Sequence, residues 1–276
     1  MEATAFLAYP FLACVLLILI HTYFGIHVLE RGIIFVDLSL AQFIGLGMAL
    51  SFSFGHEGVE TYVLSIFFAG LGAFILSFSR RIAKLTNIEA FIGVLYIFSL
   101  AASILFLDRT PHGVEEFKAI LNGNILWVGL EEVTSTFIVY AAVGILHFIF
   151  RRRFLALSLR GDGGFFWEFL FFFSFALVLV KSVRIAGILQ VFAFLIIPAL
   201  IGRLFTTKIP RIIVSGWLIG LFSSLFGIAA SYRWDLPLAP LVVSAMGGLF
   251  FLMLWLKSFR ARKEVTSRDQ RCVSCH

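Results

Sequence analysis

The sequence predicts an all-α fold, a polytopic transmembrane helical bundle of about nine spans. Of its 276 residues, 61% are hydrophobic and only 14% are charged, and the mean hydropathy is +1.01. A soluble globule of this size needs a polar surface that this composition does not supply, so the chain must face lipid. The 34 phenylalanines agree with this, because a spanning helix can expose Phe to acyl chains without penalty.

Apolar runs of the right length support the span count. A hydrophobic span needs about 20 residues, and the first run is too long for a signal-peptide core, so we expect it to be retained as a span. We assign residues 1–257 to one transmembrane domain and residues 258–276 to a cytoplasmic basic tail. The nine predicted spans are Ala5–Val28, Ile33–Phe54, Thr61–Phe78, Ala90–Leu107, Val133–Phe150, Phe165–Val180, Ile185–Phe205, Ile212–Ser231 and Leu236–Leu256.

The basic residues predict the orientation in a cell (inner) membrane. Alternate loops and the C-terminal tail hold 17 Lys and Arg residues, whereas the remaining loops hold five. The positive-inside rule then places the N-terminus outside and the C-terminus in the cytoplasm, which requires an odd number of spans. The net charge of +6 is explained by this anchoring, so no nucleic-acid partner is expected.

The second predicted span carries polar residues where lipid would exclude them. Asp37, Ser39 and Gln42 lie in its first half, followed by Gly45, at which another helix can approach closely. An ionised carboxylate within a membrane costs roughly 3 kcal/mol or more, so it usually faces a bundle interior or a water-filled path. We predict that this helix lines a pathway. The alternative is that Asp37 anchors the helix near the cytoplasmic face by pairing with Arg31.

Two connecting segments are more elaborate than simple loops. Residues 119–129 are too short and glycine-rich to span, which indicates an interfacial or re-entrant piece with Trp127 at headgroup level. Residues 151–164 combine a basic start, a short amphipathic turn and a glycine-rich exit. This pattern favours a short helix at the cytoplasmic surface that docks into a partner's groove.

Several other residues have alternative roles. His21 and His27 on the first span are predicted to make polar contacts with neighbouring helices, with metal binding as the alternative, and His147 is predicted to be interfacial. The terminal Cys272-Val-Ser-Cys-His matches a haem-attachment pattern, but on a cytoplasmic tail it suits weak binding of a soft ion or no role. The chain contains no phosphate-binding loop or catalytic triad, so its energy source is an ion gradient or a separate ATPase.

Three motifs carry a resemblance to a known family. They are Leu38-Ser-Leu-Ala41 followed by Gly45, the run Gly187–Ala199 with its Ile-Ile-Pro-Ala ending, and Ser231-Tyr-Arg-Trp-Asp-Leu-Pro237. In this order they resemble motifs of the ABC-3 family, the membrane permeases of ABC importers for zinc, manganese and iron. Family members typically carry an Asp and a His four residues apart on the second helix. Here those two positions are Val36 and Leu40, and Asp37 is offset by one.

The resemblance implies a function. The chain would be a permease subunit that translocates a divalent metal cation, with no catalytic residue and no cofactor, since the metal is cargo. Partners would be cytoplasmic ABC ATPase subunits, an external metal-binding protein and a second copy in a homodimer. An ion-coupled secondary transporter and a membrane redox protein are the alternatives. The predicted pathway residues are Asp37, which would also meet the metal, Ser39, Gln42, Gln190 and Pro198, and the predicted ATPase-coupling residues are Arg153, Phe154, Leu155, Ala156, Leu157, Ser158 and Leu159.

Overall fold

The computed structural model describes the backbone of residues 2–56, 58–159, 161 and 163–273, and the side chains of 7–56, 58–159, 161 and 163–259. This part of the chain is helical and contains no β-strand. Ser274, Cys275 and His276 of the terminal motif lie outside the described residues. The helices are α1 (Glu2–Arg31), α2 (Val36–Ser53), α3 (Val59–Leu76), α4 (Ser79–Ile82), α5 (Ile88–Leu107), α6 (Gly113–Asn122), α7 (Leu130–Ile149), α8 (Arg151–Leu159), α9 (Phe165–Phe205), α10 (Ile209–Trp234) and α11 (Leu238–Val273).

Eight of these helices are long and apolar enough to cross a membrane, and α9 accounts for two crossings. A straight helix of its 41 residues would be about 60 Å long, twice the thickness of a bilayer core. Glu168 near its start and Arg203 near its end instead pair with the adjacent residues Arg31 and Glu30 of α1. The helix therefore reverses, and it does so at Gly187, whose dihedral angles are φ 74° and ψ 165°.

This reversal gives the nine predicted crossings, and the sixth of them is longer than predicted. The first arm of α9 covers residues 165–186, so the predicted end at Val180 is wrong by about six residues. Lys181 and Arg184 extend the helix instead of forming a loop. The reason is local: a glycine in a conformation that is strained for other residues is sufficient to turn the chain, so no longer connection is needed.

The segment 119–129, predicted to be interfacial or re-entrant and called the re-entrant segment below, packs against α9. The amphipathic helix α6 is followed by a short 3₁₀ turn, Ile125–Trp127, and the backbone N–H of Asn124 donates to the carbonyl of Ile185 at 3.0 Å. Gly123 and Gly187 meet backbone to backbone, since a Cβ on either would lie 2.3 Å from the nitrogen of the other. The segment thus fits against the turn of the α9 hairpin. The side chain of Trp127 is largely exposed, and its position at headgroup level stays a prediction.

The three helices α1, α2 and α9 form the centre of the bundle, and their apolar windows are the most buried. The periphery presents Phe side chains outward, as the lipid-facing composition predicts, among them Phe67, Phe98, Phe137, Phe148 and Phe251. One end of the bundle, which we call the basic end, holds Arg31, Arg80, Arg203 and helix α8. The opposite end holds Trp127 and Asp235.

Candidate functional site

Asp37 lies inside the bundle at the start of α2. Its side chain is fully buried, and neither carboxylate oxygen has a hydrogen-bond partner within the described residues. Helix α2 begins only at Val36, because Gly32 at φ 63° and the residues after it form a turn. Asp37 is therefore in the first helical turn, near the basic end, where the positive end of the helix dipole favours a negative charge. The sequence placed it deeper because Ile33, Ile34 and Phe35 extend the apolar run.

The alternative pairing of Asp37 with Arg31 is wrong. Arg31 donates instead to Glu168 of α9, and its guanidinium carbon lies 5.0 Å from the ring centre of Phe171 and 4.8 Å from that of Phe172. The carboxylate of Asp37 is thus buried without a basic partner in the described part of the chain. A buried polar group of this kind is costly, so it requires an explanation other than anchoring to Arg31.

Ser39 and Gln42 are also buried on α2, on the side away from Asp37. The hydroxyl of Ser39 has no hydrogen-bond partner within the described residues, and Ser39 lies about 160° around the helix from Asp37. Gln42 lies three residues after Ser39, about 60° from it and about 140° from Asp37. The Oε1 atom of Gln42 lies beside Gly45, near Ile188 of α9. The three polar side chains of α2 therefore do not share one face, since Asp37 lies opposite the other two.

Gln190 and Pro198 lie on the second arm of α9, residues 188–205. Gln190 is buried against α1, with its Nε2 atom 3.8 Å from the sulfur of Cys14, and its Oε1 atom has no hydrogen-bond partner in the described part of the chain. Pro198 packs against α10, where a Cβ on Gly216 would lie 3.2 Å from it. The structure buries all five predicted pathway residues but does not bring them onto one surface, and their role in transport stays a prediction.

Within the described residues, no three His, Cys, Asp or Glu side chains come together as a resident metal site would require. Of the two histidines of α1, His27 contacts a neighbouring helix as the sequence predicts, since its Nδ1 atom lies 2.8 Å from the hydroxyl of Ser158 on α8. The contact of His21 lies within α1 itself, where its Nδ1 atom is 2.8 Å from the carbonyl oxygen of Leu17. The side chain of His147, which is predicted to be interfacial, is buried between Tyr23 and Ser174, with ring nitrogens 3.0 and 2.8 Å from their hydroxyls.

Helix α8 forms where the sequence predicts it, at the basic end, and the structure separates its two faces. Phe154, Leu157 and Ser158 are buried toward the spanning helices. The ring of Phe154 stacks on His147 with centroids 4.0 Å apart. Arg153 and Leu159 are exposed, while Leu155 and Ala156 are partly exposed. An amphipathic pattern predicts a two-faced helix but does not state which side chains are covered.

An ionic cluster beside α8 was not predicted from the sequence. Glu168 is 1% exposed and accepts from both Arg31 of α1 and Arg80 of α4, and Arg80 also donates to the backbone carbonyl of Leu157 at 3.3 Å. A signal was present, because Glu168 is the one charged residue in the run from Phe165 to Val180. A charged residue in such an apolar run usually faces the bundle interior, as Asp37 does in the second span.

At the opposite end, the third motif and the segment before α7 meet around a cavity of 570 Å³. One wall is the re-entrant segment from Asn122 to Trp127, and the other is the connection from Ser231 to Pro237. Asp235 ends α10 in a left-handed conformation at φ 53°, and the hydroxyl of Ser231 donates to the carbonyl of Leu236 at 2.6 Å. The two segments are far apart in sequence and together line the cavity at this end of the bundle.

Comparisons with known proteins agree with this architecture. The membrane protein of a probable metal transport system of Chlamydia trachomatis serovar D is 26% identical, over 84% of this chain and 83% of that protein. The manganese transport system membrane protein MntC of Listeria monocytogenes is also 26% identical, over 83% and 82%. PsaBC from Streptococcus pneumoniae in complex with Fab has the same fold, with a TM-score of 0.73 at 22% identity over 90% of both chains. The model of the ABC 3 transport family matches residues 3–257, so the chain belongs to this family and is a multi-pass permease of the cell membrane.

Proposed function

We propose that the chain is the permease subunit of an ABC importer and that it carries a divalent metal cation. The observation that carries this proposal is the buried carboxylate of Asp37, which has no protein partner among the described residues. A cation that reaches this carboxylate when the bundle opens would offset the cost of its burial. The curated relatives, which include metal and manganese transport proteins, support the same class of cargo.

The ligand chemistry favours manganese over zinc. Asp37, the proposed ligand on α2, offers carboxylate oxygens only, and the His of the family's usual Asp/His pair has no equivalent on α2. Carboxylate and carbonyl oxygens suit Mn²⁺, whereas Zn²⁺ prefers imidazole and thiolate. We therefore rank Mn²⁺ first among manganese, iron and zinc as the transported ion.

The partners follow from the two ends of the bundle. We propose that the basic end is cytoplasmic, supported by the uneven distribution of Lys and Arg, and that ATPase subunits dock there on the exposed face of α8. An external metal-binding protein would deliver its ion at the opposite end, above the 570 Å³ cavity. Two copies of the chain would enclose the pathway, and ATP hydrolysis on the separate subunits would drive the movement.

We expect Asp37→Asn to lower ATP-driven Mn²⁺ uptake about tenfold. The variant loses the charge of the carboxylate, so its contact with the cation is weaker. A tenfold effect is within the usual range for coupled binding equilibria. The measurement is uptake into proteoliposomes that contain the permease with its ATPase and binding protein. Asn has the same shape as Asp, so assembly should be unaffected, and ATP hydrolysis by the complex verifies this.

The matched control is Glu89→Gln. Glu89 lies in the first turn of the neighbouring helix α5 at the same end, and its Oε1 accepts from the backbone N–H of Ile34, a contact that Gln retains. Uptake should be close to normal in this variant. Normal uptake in Asp37→Asn would remove Asp37 from the pathway, and gradient-driven flux through the chain without ATPase would show a secondary transporter instead.

A further inference from the structure

Arg80 lies between α8 and the spanning helices. It belongs to the short helix α4, which follows α3 at the basic end. Its Nε atom donates to Glu168 on the first arm of α9, and its Nη2 atom donates to the carbonyl of Leu157 at 3.3 Å. One guanidinium therefore connects α4 to α8 and α9 through acceptors 77 and 88 residues further along the chain, and its planar shape with several donors is what makes this possible.

Glu168, which accepts from Arg80, is itself held by a second arginine. Glu168 is 1% exposed, and its second carboxylate oxygen accepts from Arg31, whose side chain is only 8% exposed. Both oxygens of the carboxylate are thus occupied by arginines from different helices. Arg80 is therefore linked to α9 directly and to α1 through Glu168.

Gly161 and Gly163, which follow α8, lie close to Arg80 and Leu157. A Cβ on Gly161 would lie 3.9 Å from the Nη1 atom of Arg80, and a Cβ on Gly163 would lie 2.2 Å from the side chain of Leu157. The glycine-rich exit thus lets the backbone pass close to both residues. Next to this cluster is a cavity of 390 Å³, which is lined by Arg80, Leu157 and Gly161 among others.

On its other side, α8 is attached to different helices. Ser158 bonds to His27 of α1, and Phe154 stacks on His147 of α7. Arg80 adds the connection from α8 to the end of α3. We infer that Arg80 is a positioning residue that transmits the movement of α8 to α3 and α9, so that ATP hydrolysis on the docked subunit drives transport. This inference rests on the proposed function.

The test is Arg80→Met in the complete transporter. We expect the complex to assemble and hydrolyse ATP at the normal rate, while Mn²⁺ uptake per ATP falls about tenfold, within the usual range of coupling between distant sites. The fold should persist, because Arg31 and Glu168 then remain as a pair of equal and opposite charges. The control is Arg81→Met, since Arg81 is the next residue, is exposed and contacts only the ring of Phe78 among the described interactions, at 5.6 Å.

A second variant separates coupling from simple structural support. Lys at position 80 keeps the charge but, as a point charge, does not reach both acceptors, so Arg80→Lys should restore part of the uptake per ATP. Normal uptake per ATP in Arg80→Met would overturn the inference, and so would failure of the ATPase to bind this variant, since Arg80 would then support docking. If the wild-type complex shows no ATP-driven uptake, the proposed function itself is wrong, and that result is distinct from the first two.

Discussion

Replacing Gly187 with Ala should lower the free energy of unfolding by at least about 3 kcal/mol, the cost of forcing an L-residue into a conformation that only glycine adopts readily. The dihedral angles of φ 74° and ψ 165° place Gly187 in this region. The new Cβ would also lie 2.3–2.4 Å from three backbone atoms of the re-entrant segment, at residues 121–123. Because these are backbone atoms, no side-chain rotation relieves the overlap. Thermal unfolding in detergent measures the effect.

The matched control for this change is Gly144→Ala. Gly144 lies within α7, and a Cβ there meets nothing within 4 Å. Alanine is favoured over glycine inside a helix by about 1 kcal/mol, so this variant should be as stable as the parent or slightly more stable. An unchanged melting temperature for Gly187→Ala would show that the hairpin does not depend on this glycine.

Gly123 offers a second test of the same contact. A Cβ on Gly123 would lie 2.3 Å from the nitrogen of Gly187, so Gly123→Ala should also destabilise the protein strongly. If both glycines act through one interface, the double variant should lose less stability than the sum of the two single losses, because displacing the segment once relieves both overlaps. Strict additivity would instead indicate two independent defects.

The crossings could be predicted from the sequence because they depend on local properties. A run of apolar residues long enough for a bilayer and an excess of Lys and Arg in alternate loops are both visible along the chain. The predicted run from Ile185 to Phe205 agrees closely with the second arm of α9. The start of α2 was predicted less accurately, at Ile33 instead of Val36, because the residues of the turn before Val36 are as apolar as the helix itself.

The partners of the buried polar groups could not be predicted in this way. Glu168 meets Arg80 and Arg31, which are 88 and 137 residues away in sequence, and only the folded bundle brings them together. Asp37 shows the converse case, since a nearby Arg31 suggested a pair that the fold does not form. Sequence proximity therefore predicts these pairs poorly. In the low-dielectric interior of the bundle, a buried charge needs a partner, and that partner comes from any of the helices packed around it.

Glu168→Ala should cost about 3–5 kcal/mol of stability, as the removal of one member of a buried ion pair typically does. The reason is the charge that remains. Arg31 would stay buried among aromatic rings without its carboxylate partner, and its side chain is only 8% exposed to water. Thermal or denaturant unfolding of the purified permease measures this loss.

The Glu30–Arg203 pair provides a comparison at the same end of the bundle. Its side chains are 23% and 36% exposed, so Glu30→Ala should cost only about 0–1 kcal/mol, as partly solvated pairs usually do. Replacing Arg31 with Met in the Glu168→Ala background should then recover much of the lost stability, because no fully buried charge remains in this cluster and Arg80 is 33% exposed. If the double variant is no more stable than Glu168→Ala, an unpaired Arg31 is not the cause. Equal losses for Glu168→Ala and Glu30→Ala would show that burial does not govern these pairs.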